Sequence, residues 1–336
     1  MTAVVPTSGG LGRAGSAGLE ALRGLRRDTW TLALWGLFIG LLAVAKLIAP
    51  GYGATELTSL AIGALPIAFA AVAQAVVVIS GGIDLSVGAM MALTSVAAAT
   101  QMKGASPEAA VAVAIGVLVL GMALGAVNGL LIVFSRVPDI VVTLAMSYVW
   151  AGAALLVLET PGGAAANWLK DMVSGSLVID FLPKALVVLA VCVGLVWLPL
   201  RRSRLGLSIY AIGSSPLAAF RGGVDVRRTK VVAYALTGLF SAAGGLSLTA
   251  STGIGSPIPG PYTLLAVAAI VLGGVSLAGG RGGMIGPIVA VFVLSLVRTD
   301  LTFLGVDPNL STVVQGVIMV VVVMIGAFVT LRRRRA

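Results

Sequence analysis

An all-α integral membrane protein with about ten transmembrane helices is the fold class the sequence predicts, and three observations carry it. Of the 336 residues, 59% are hydrophobic and only 10% are charged. The mean hydropathy is +1.10. The apolar residues fall in runs of about twenty, the length a helix needs to cross the hydrocarbon core of a bilayer. Backbone in lipid has to satisfy its own hydrogen bonds, so spans are helices or a closed barrel, and the short alternating segments of a barrel are absent.

Taken in order, the candidate spans cover 30–48, 57–80, 85–101, 108–134, 138–158, 184–200, 231–251, 263–279, 284–300 and 311–331. Residues 1–29 precede them, carry four arginines and lack a compact signal-type apolar core with a small-residue cleavage site, so the first span is expected to be retained. The membrane domain is therefore 30–331, followed by a basic tail at 332–336. Seventeen of the 22 Lys and Arg residues lie in the N-terminal segment, at Arg136, in 201–230, at Arg281 and in the tail. The other five, Lys46, Lys103, Lys170, Lys184 and Arg298, alternate to the opposite side. That bias predicts both termini in the cytoplasm. It also accounts for the net charge of +10 without nucleic acid, because the basic residues cluster between apolar runs. Two connections are long, an external one at 159–183 and a cytoplasmic one at 201–230.

Several chemistries are excluded by what is missing. The chain has no histidine and a single cysteine, Cys192, which removes imidazole acid–base chemistry, the commonest zinc ligand and any disulfide framework. No Ser–Lys pair or paired aspartates stand within the spans, as an intramembrane enzyme would need. No G-x-x-x-x-G-K-[ST] element is present, so ATP is handled by another chain or the protein is not ATP-driven.

One stretch interrupts the apolar pattern. "VVVISGGIDLSVGAMMAL" places Gly81-Gly82 and Asp84 between the second and third spans. The glycines let the backbone leave helical geometry, and Asp84 or Ser86 can cap the amides that open the next span. Irregular backbone at membrane depth has to be packed in protein or face a water-filled path, so Asp84 reads either as a structural cap or as a pathway or gate residue. An echo follows 192 positions later, with Gly273-Gly274-Val275-Ser276-Leu277 set against Gly81-Gly82-Ile83-Asp84-Leu85. Paired breaks of this kind are what transporters built from repeats carry. Gln74, Asn128, Thr143, Ser147, Thr249 and Gln315 are the other polar residues inside spans, and as a group they suit a path for a hydroxyl-rich solute. Gly116, Gly121 and Gly125 are expected to allow close helix packing.

The cytoplasmic loop "RRSRLGLSIYAIGSSPLAAFRGGVDVRRTK" carries a helix signal of its own. Ser215 is a natural N-cap, Pro216 fits the first helical position, and Gly222-Gly223 supply the stop. Leu217, Phe220 and Val224 are then available to a partner, while seven basic residues favour anionic lipid.

"RLGLSIYAIGSSPLAAFRGGVDV" resembles the cytoplasmic loop of bacterial ribose-type sugar ABC transporter permeases, in the branched-chain amino acid/ribose permease superfamily. "SGGIDLSVG", "NGLLIVFSRVPDIVVTLA" and "LGGVSLAGGRGGMIGP" resemble three further segments, extending the likeness from about Leu57 to Ala327. The resemblance implies the ABC importer permease fold. It also implies a plasma membrane location, a second permease subunit, a cytoplasmic ABC ATPase that uses ATP-Mg, an extracytoplasmic sugar-binding protein, and no cofactor held by this chain. It makes Ser215 to Val224 the coupling helix, with Tyr210, Gly213, Pro216, Ala218, Ala219 and Gly223 at the matching positions and Ser215, Leu217, Phe220 and Arg221 beside them. Ser214-Ser215 replaces the usual Gly-Asn, and Leu217 stands where an acidic residue is common. Docking here is thus expected to rest on apolar contact and Arg221. Gly81, Gly82, Asp84, Ser86, Gln74, Asn128, Thr143 and Ser276 are the candidate path or gate residues, and none of these positions is catalytic or metal-binding.

Overall fold

The computed structural model describes residues 29–177, 182–307 and 309–324, apart from 319, 322 and 323. The segment 1–28, the tail 332–336 and the latter part of the expected span 311–331 lie outside the described residues. Among the described residues the chain is helical and forms no strand. The helices are α1 (Thr29–Ile48), α2 (Ala54–Ile79), α3 (Val87–Met102), α4 (Pro107–Ser135), α5 (Asp139–Val157), α6 (Asn167–Val173) and α7 (Lys184–Arg202). They continue with α8 (Arg204–Ser214), α9 (Pro216–Arg221), α10 (Val226–Thr252), α11 (Tyr262–Leu272) and α12 (Ile285–Phe303), and a final segment α13 covers Asn309–Ile318.

Seven of these, α1, α2, α4, α5, α7, α10 and α12, are long and apolar enough to cross a membrane. The expected span 263–279 is corrected: α11 stops at Leu272 after 11 residues, because the chain turns at Gly273-Gly274 into an irregular loop. The expected span 85–101 is a 16-residue helix, α3, whose side chains are buried along almost its whole length. Short apolar helices enclosed by longer ones keep their polar ends away from lipid.

Helix α10 forms the centre, packed on α4, α2 and α3, while α1 and α5 lie at the periphery. Lipid tails are as apolar as leucine, so close van der Waals fit and interhelical hydrogen bonds hold the helices together. Along α4, Gly121, Gly125 and Gly129 lie directly on α10. A Cβ at Gly125 would stand 2.9 Å from the Gly238 nitrogen, and one at Gly129 would stand 2.8 Å from the Val231 Cα. Gly116 faces open space, so the packing stripe runs through Gly129 and excludes Gly116. Polar links add to this contact: Ser95 Oγ and Thr249 Oγ1 are 2.9 Å apart between α3 and α10, and the Thr237 hydroxyl donates to the Ala73 carbonyl of α2.

The connection 159–183 holds α6 and folds over the end of the bundle formed by the C-termini of α3 and α10. Gly162 and Gly255 exchange backbone bonds of 3.0 and 2.7 Å, and Ala164 N–H donates to the Ala99 carbonyl.

Candidate functional site

The two helix breaks share one hydrogen-bond pattern. At the end of α2, Ser80 keeps helical angles and Gly81 turns to φ +84°, while Gly82 N–H reaches back to the Val77 carbonyl at 3.0 Å. At the end of α11, Gly273 keeps helical angles, Gly274 turns to φ +79°, and Val275 N–H reaches back to the Ile270 carbonyl at 2.9 Å. A positive φ at this position is what glycine supplies at a helix C-terminus. The structure therefore pairs Gly81 with Gly274, an offset of 193, and corrects the offset of 192 read from the letters. Under the corrected register the counterpart of Asp84 is Leu277, and Ser276 answers to Ile83.

Around the first break the polar residues form one network. Asp84 is fully buried, and its Oδ1 accepts from Ser86 N–H at 2.8 Å and from Ser86 Oγ at 2.6 Å. Asn128 Nδ2 donates to Ser86 Oγ at 2.8 Å, and the Trp150 indole donates to Asn128 Oδ1 at 3.2 Å. The opening amides of α3 are capped from other helices: Leu85 N–H donates to Thr143 Oγ1 at 3.1 Å and Gly88 N–H to Thr263 Oγ1 at 2.9 Å. The Ser86 side chain caps none of them. Gly82 sits against a second cluster that the sequence reading missed. Asp139 accepts from Lys230 Nζ at 2.7 Å on one oxygen and from the Tyr234 hydroxyl at 2.7 Å on the other. A Cβ at Gly82 would stand 2.7 Å from that hydroxyl. Asp139 lies in the segment read for its motif, but its partners are 91 and 95 residues away, a pairing no local pattern reveals.

The loop 201–230 is a pair of helices. Ser203 accepts from Gly206 N–H and starts α8, a helix the sequence reading left as loop. Ser215 accepts from Ala218 N–H at 3.3 Å and starts α9, with Pro216 at its first position and Gly222 after its end. Leu217 and Phe220 are 60% and 68% exposed, while Ala219 is buried. Arg221 and Gly223 lie at the exposed end of α9.

Helix α8 seats this pair on both breaks. Gly213 lies against the Ile79 carbonyl, and a Cβ there would overlap that oxygen and approach the Gly280 nitrogen to 2.6 Å. A Cβ at Gly279 would meet the Gly213 oxygen at 2.6 Å and the Gly81 Cα at 2.9 Å. Gly280 N–H donates to the Ile79 carbonyl at 2.9 Å, joining the two breaks directly. The Tyr210 hydroxyl donates to the Gly282 carbonyl at 2.8 Å. Burial raises the Tyr210 phenol above its ordinary pKa, with Arg201 pulling the other way, so the donor stays protonated at neutral pH. Ser276, half-buried, donates its N–H to the Arg281 carbonyl within the same loop.

Of the other candidates, Gln74 is fully buried on α2, and neither of its amide atoms has a partner among the described residues. A cleft of about 370 Å³ opens at the opposite end of the bundle, between α2, α11, α12 and α13. Its polar lining is Glu56, Ser59, Ser295, Arg298, Thr299 and Gln315. None of the eight candidate path or gate residues lines it. Among the described residues no cluster of His, Cys, Asp or Glu could hold a metal ion.

Comparison with known proteins gives the same assignment over most of the chain. The family described as "Branched-chain amino acid transport system / permease component" matches residues 56–323. "Autoinducer 2 import system permease protein LsrD" of Escherichia coli (strain K12) is 30% identical over 320 residues, covering 90% of this chain and 94% of that protein. The protein of that name from Shigella flexneri matches with the same figures, and that of Escherichia coli O157:H7 is 31% identical over 265 residues, covering 77% of this chain and 79% of its own. No solved structure matches the chain. On the extent of these matches, the chain belongs to the family of branched-chain amino acid transport system permease components.

Proposed function

We propose that this chain is the non-catalytic, membrane-spanning permease of an ATP-driven importer for a sugar-like solute, with α9 as the element that docks on a separate cytoplasmic ATPase. The relatives, named as permeases of an import system for autoinducer 2, support the importer reading and a small polar solute. An extracytoplasmic binding protein would meet the end that α6 covers, and a second permease subunit would complete the path. In this reading both termini are cytoplasmic, ATP-Mg is used by the partner, and this chain holds no cofactor. The domain limits 30–331 for the membrane part and 332–336 for the tail belong to the same proposal.

The observation that carries the proposal is the seat of α8 on both helix breaks. A displacement of α9 is passed through α8, which ends at Ser214 beside Gly213, to the Ile79 carbonyl and to the loop holding Gly279 and Gly280. Glycine backbone against backbone leaves no side chain to absorb the movement. The exposed Leu217 and Phe220 supply an apolar docking surface and Arg221 a charge beside it.

The test is affinity purification of the tagged chain from its native membrane in mild detergent, with mass spectrometry of what accompanies it. Ala219→Pro is the informative variant, because Ala219 N–H makes the first intrahelical bond of α9, to the Ser215 carbonyl at 2.9 Å. Ala218 N–H bonds only the cap hydroxyl, so Ala218→Pro is the milder change. Recovery of an ATPase with the parent chain, and its loss or uncoupling with Ala219→Pro, supports the reading. A preparation free of any ATPase after crosslinking refutes it.

A further inference from the structure

The cleft at the end of the bundle away from α8 and α9 is built from two helix faces. On α2, Glu56, Ser59, Leu60, Gly63, Ala64 and Ile67 recur at three- and four-residue steps, which is one side of a helix. On α12, Ser295, Arg298 and Thr299 do the same, and Gln315 of α13 closes the third side. Leu265, Leu294 and Phe303 supply apolar wall. At about 370 Å³ the space lies within the range of small-molecule sites.

Two charges face the cleft, Glu56 half-buried in the first turn of α2 and Arg298 exposed near the end of α12, where contact with water offsets the cost of an unpaired charge. Glu56 spends one oxygen on the N–H of Gly53, at 2.7 Å, in the capping box of α2. Among the described residues no carboxylate lies within ion-pair distance of Arg298, although Glu56 faces the same cleft. The two side chains therefore leave a gap between them, flanked by hydroxyls and one amide.

We infer that this cleft is a low-affinity site for a neutral polyhydroxylated solute, on its way from the outer face toward the helix breaks. An anionic solute would be drawn to Arg298 and repelled by Glu56, and a cationic one the reverse. A neutral polyol uses both: its hydroxyls donate to the free carboxylate oxygen, and its oxygens accept from the guanidinium fork. Ser295, Thr299 and Gln315 offer further neutral partners, and the C–H face of a sugar ring packs on Leu265 and Phe303. Weak, exchangeable bonds of this kind let the solute leave again. The inference rests on the permease reading for its direction of travel, but the chemistry of the lining stands independently of the ATPase.

The test uses single thiols introduced in a Cys192→Ser background, which removes the chain's one cysteine. Ser59→Cys and Ser295→Cys are placed in the intact importer in sealed vesicles, with Val191→Cys on the exposed apolar face of α7 as the control. A charged, membrane-impermeant methanethiosulfonate is added from the outer side. Both cleft positions should label and the control should not. Ribose and glucose at about 20 mM, filling two-thirds of a site with a Kd of about 10 mM, should slow labelling about threefold, whereas leucine and spermidine should not. Absence of labelling at both positions, labelling that no polyol slows, or spontaneous Ser59→Cys disulfides between two copies would overturn the assignment. The last outcome would make the cleft a subunit contact. Polyol protection without any associated ATPase would keep this site and sink the ATP-driven reading, while an ATPase with no protection would do the reverse.

Discussion

Gly213→Ala is the substitution that most directly examines how α8 and α9 are joined to the membrane helices. The added methyl group would overlap the Ile79 carbonyl oxygen and stand 2.6 Å from the Gly280 nitrogen. Non-bonded heavy atoms need about 3.5 Å, so Gly213 and the Ile79 carbonyl have to part by more than about 1 Å. That separation strains packing by about 1–3 kcal/mol. It also stretches the Gly280 N–H to Ile79 carbonyl bond of 2.9 Å, a loss of about 0.5–1.5 kcal/mol. A destabilisation of about 2–4 kcal/mol, concentrated at the joint, is expected from these two terms. Two assays on the purified complex separate structure from coupling: thermal survival of the folded chain, and ATP hydrolysis by the associated ATPase with and without its solute-loaded binding protein. Gly222→Ala is the control in the same loop, since its added Cβ would meet nothing closer than 3.3 Å. The expected result is a folded, ATPase-associated Gly213→Ala complex whose hydrolysis no longer responds to the loaded binding protein. A variant as stable and as responsive as the Gly222→Ala control would refute the idea that this contact transmits movement.

Other substitutions examine the remaining joints. Gly125→Ala should cost at least about 3 kcal/mol by driving α4 off α10, whereas Gly116→Ala, in open space on the same helix, should be neutral or stabilise by up to about 1 kcal/mol; thermal unfolding of the two variants decides. Asp139→Ala removes the shared acceptor of Lys230 and Tyr234 and should cost about 2–4 kcal/mol, more than Lys230→Met, which leaves the tyrosine bond in place; comparing the two variants by urea or thermal midpoint tests the order. Thr263→Val takes the cap from Gly88 N–H and should cost about 1 kcal/mol, seen as faster hydrogen exchange at the start of α3.

Hydropathy made the long spans legible because a run of apolar side chains is a local property, and the α9 helix was legible for the same reason, its cap, proline and stop all lying within nine residues of one another. What the sequence left unread depends on partners far away in the chain. Helix α8 was read as loop because its buried face, Gly206, Ile209, Ile212 and Gly213, is short and set between basic residues. The 263–279 run was read as a full span because Gly273-Gly274 is flanked by apolar residues on both sides; only the backbone shows that the helix ends at Leu272. Arg298 was counted for orientation and Gln315 among the polar residues of a solute path, since nothing local says that both open onto the same cleft.

The corrected register between the breaks carries a physical consequence. Both helices end in the same turn, yet among the described residues a network of side chains bonded to one another stands at the first break only. The first break is tied by Asp84, Ser86, Asn128 and Thr143, bonds that link α3, α4 and α5 into one block. The second has Leu277 where the first has Asp84, and it is held by backbone bonds, by the Trp30 indole on the Leu272 carbonyl at 2.6 Å and by the Tyr210 hydroxyl on the Gly282 carbonyl at 2.8 Å. Asp84 Oδ2 is buried without a partner among the described residues, but the bonds through Oδ1, Ser86 and Asn128 resist opening, because each one lost exposes a further polar group to an apolar surrounding. At the second break each lost bond has its own cost, but the Trp30 and Tyr210 bonds are not linked to one another through further side chains. Of the two breaks that touch Gly213, the second is therefore the one with less to lose when α8 moves. Hydrogen exchange should rank the amides accordingly, with Gly279 and Gly280 opening before Leu85 and Ser86, and the opposite order would show that the polar network does not stiffen the first break.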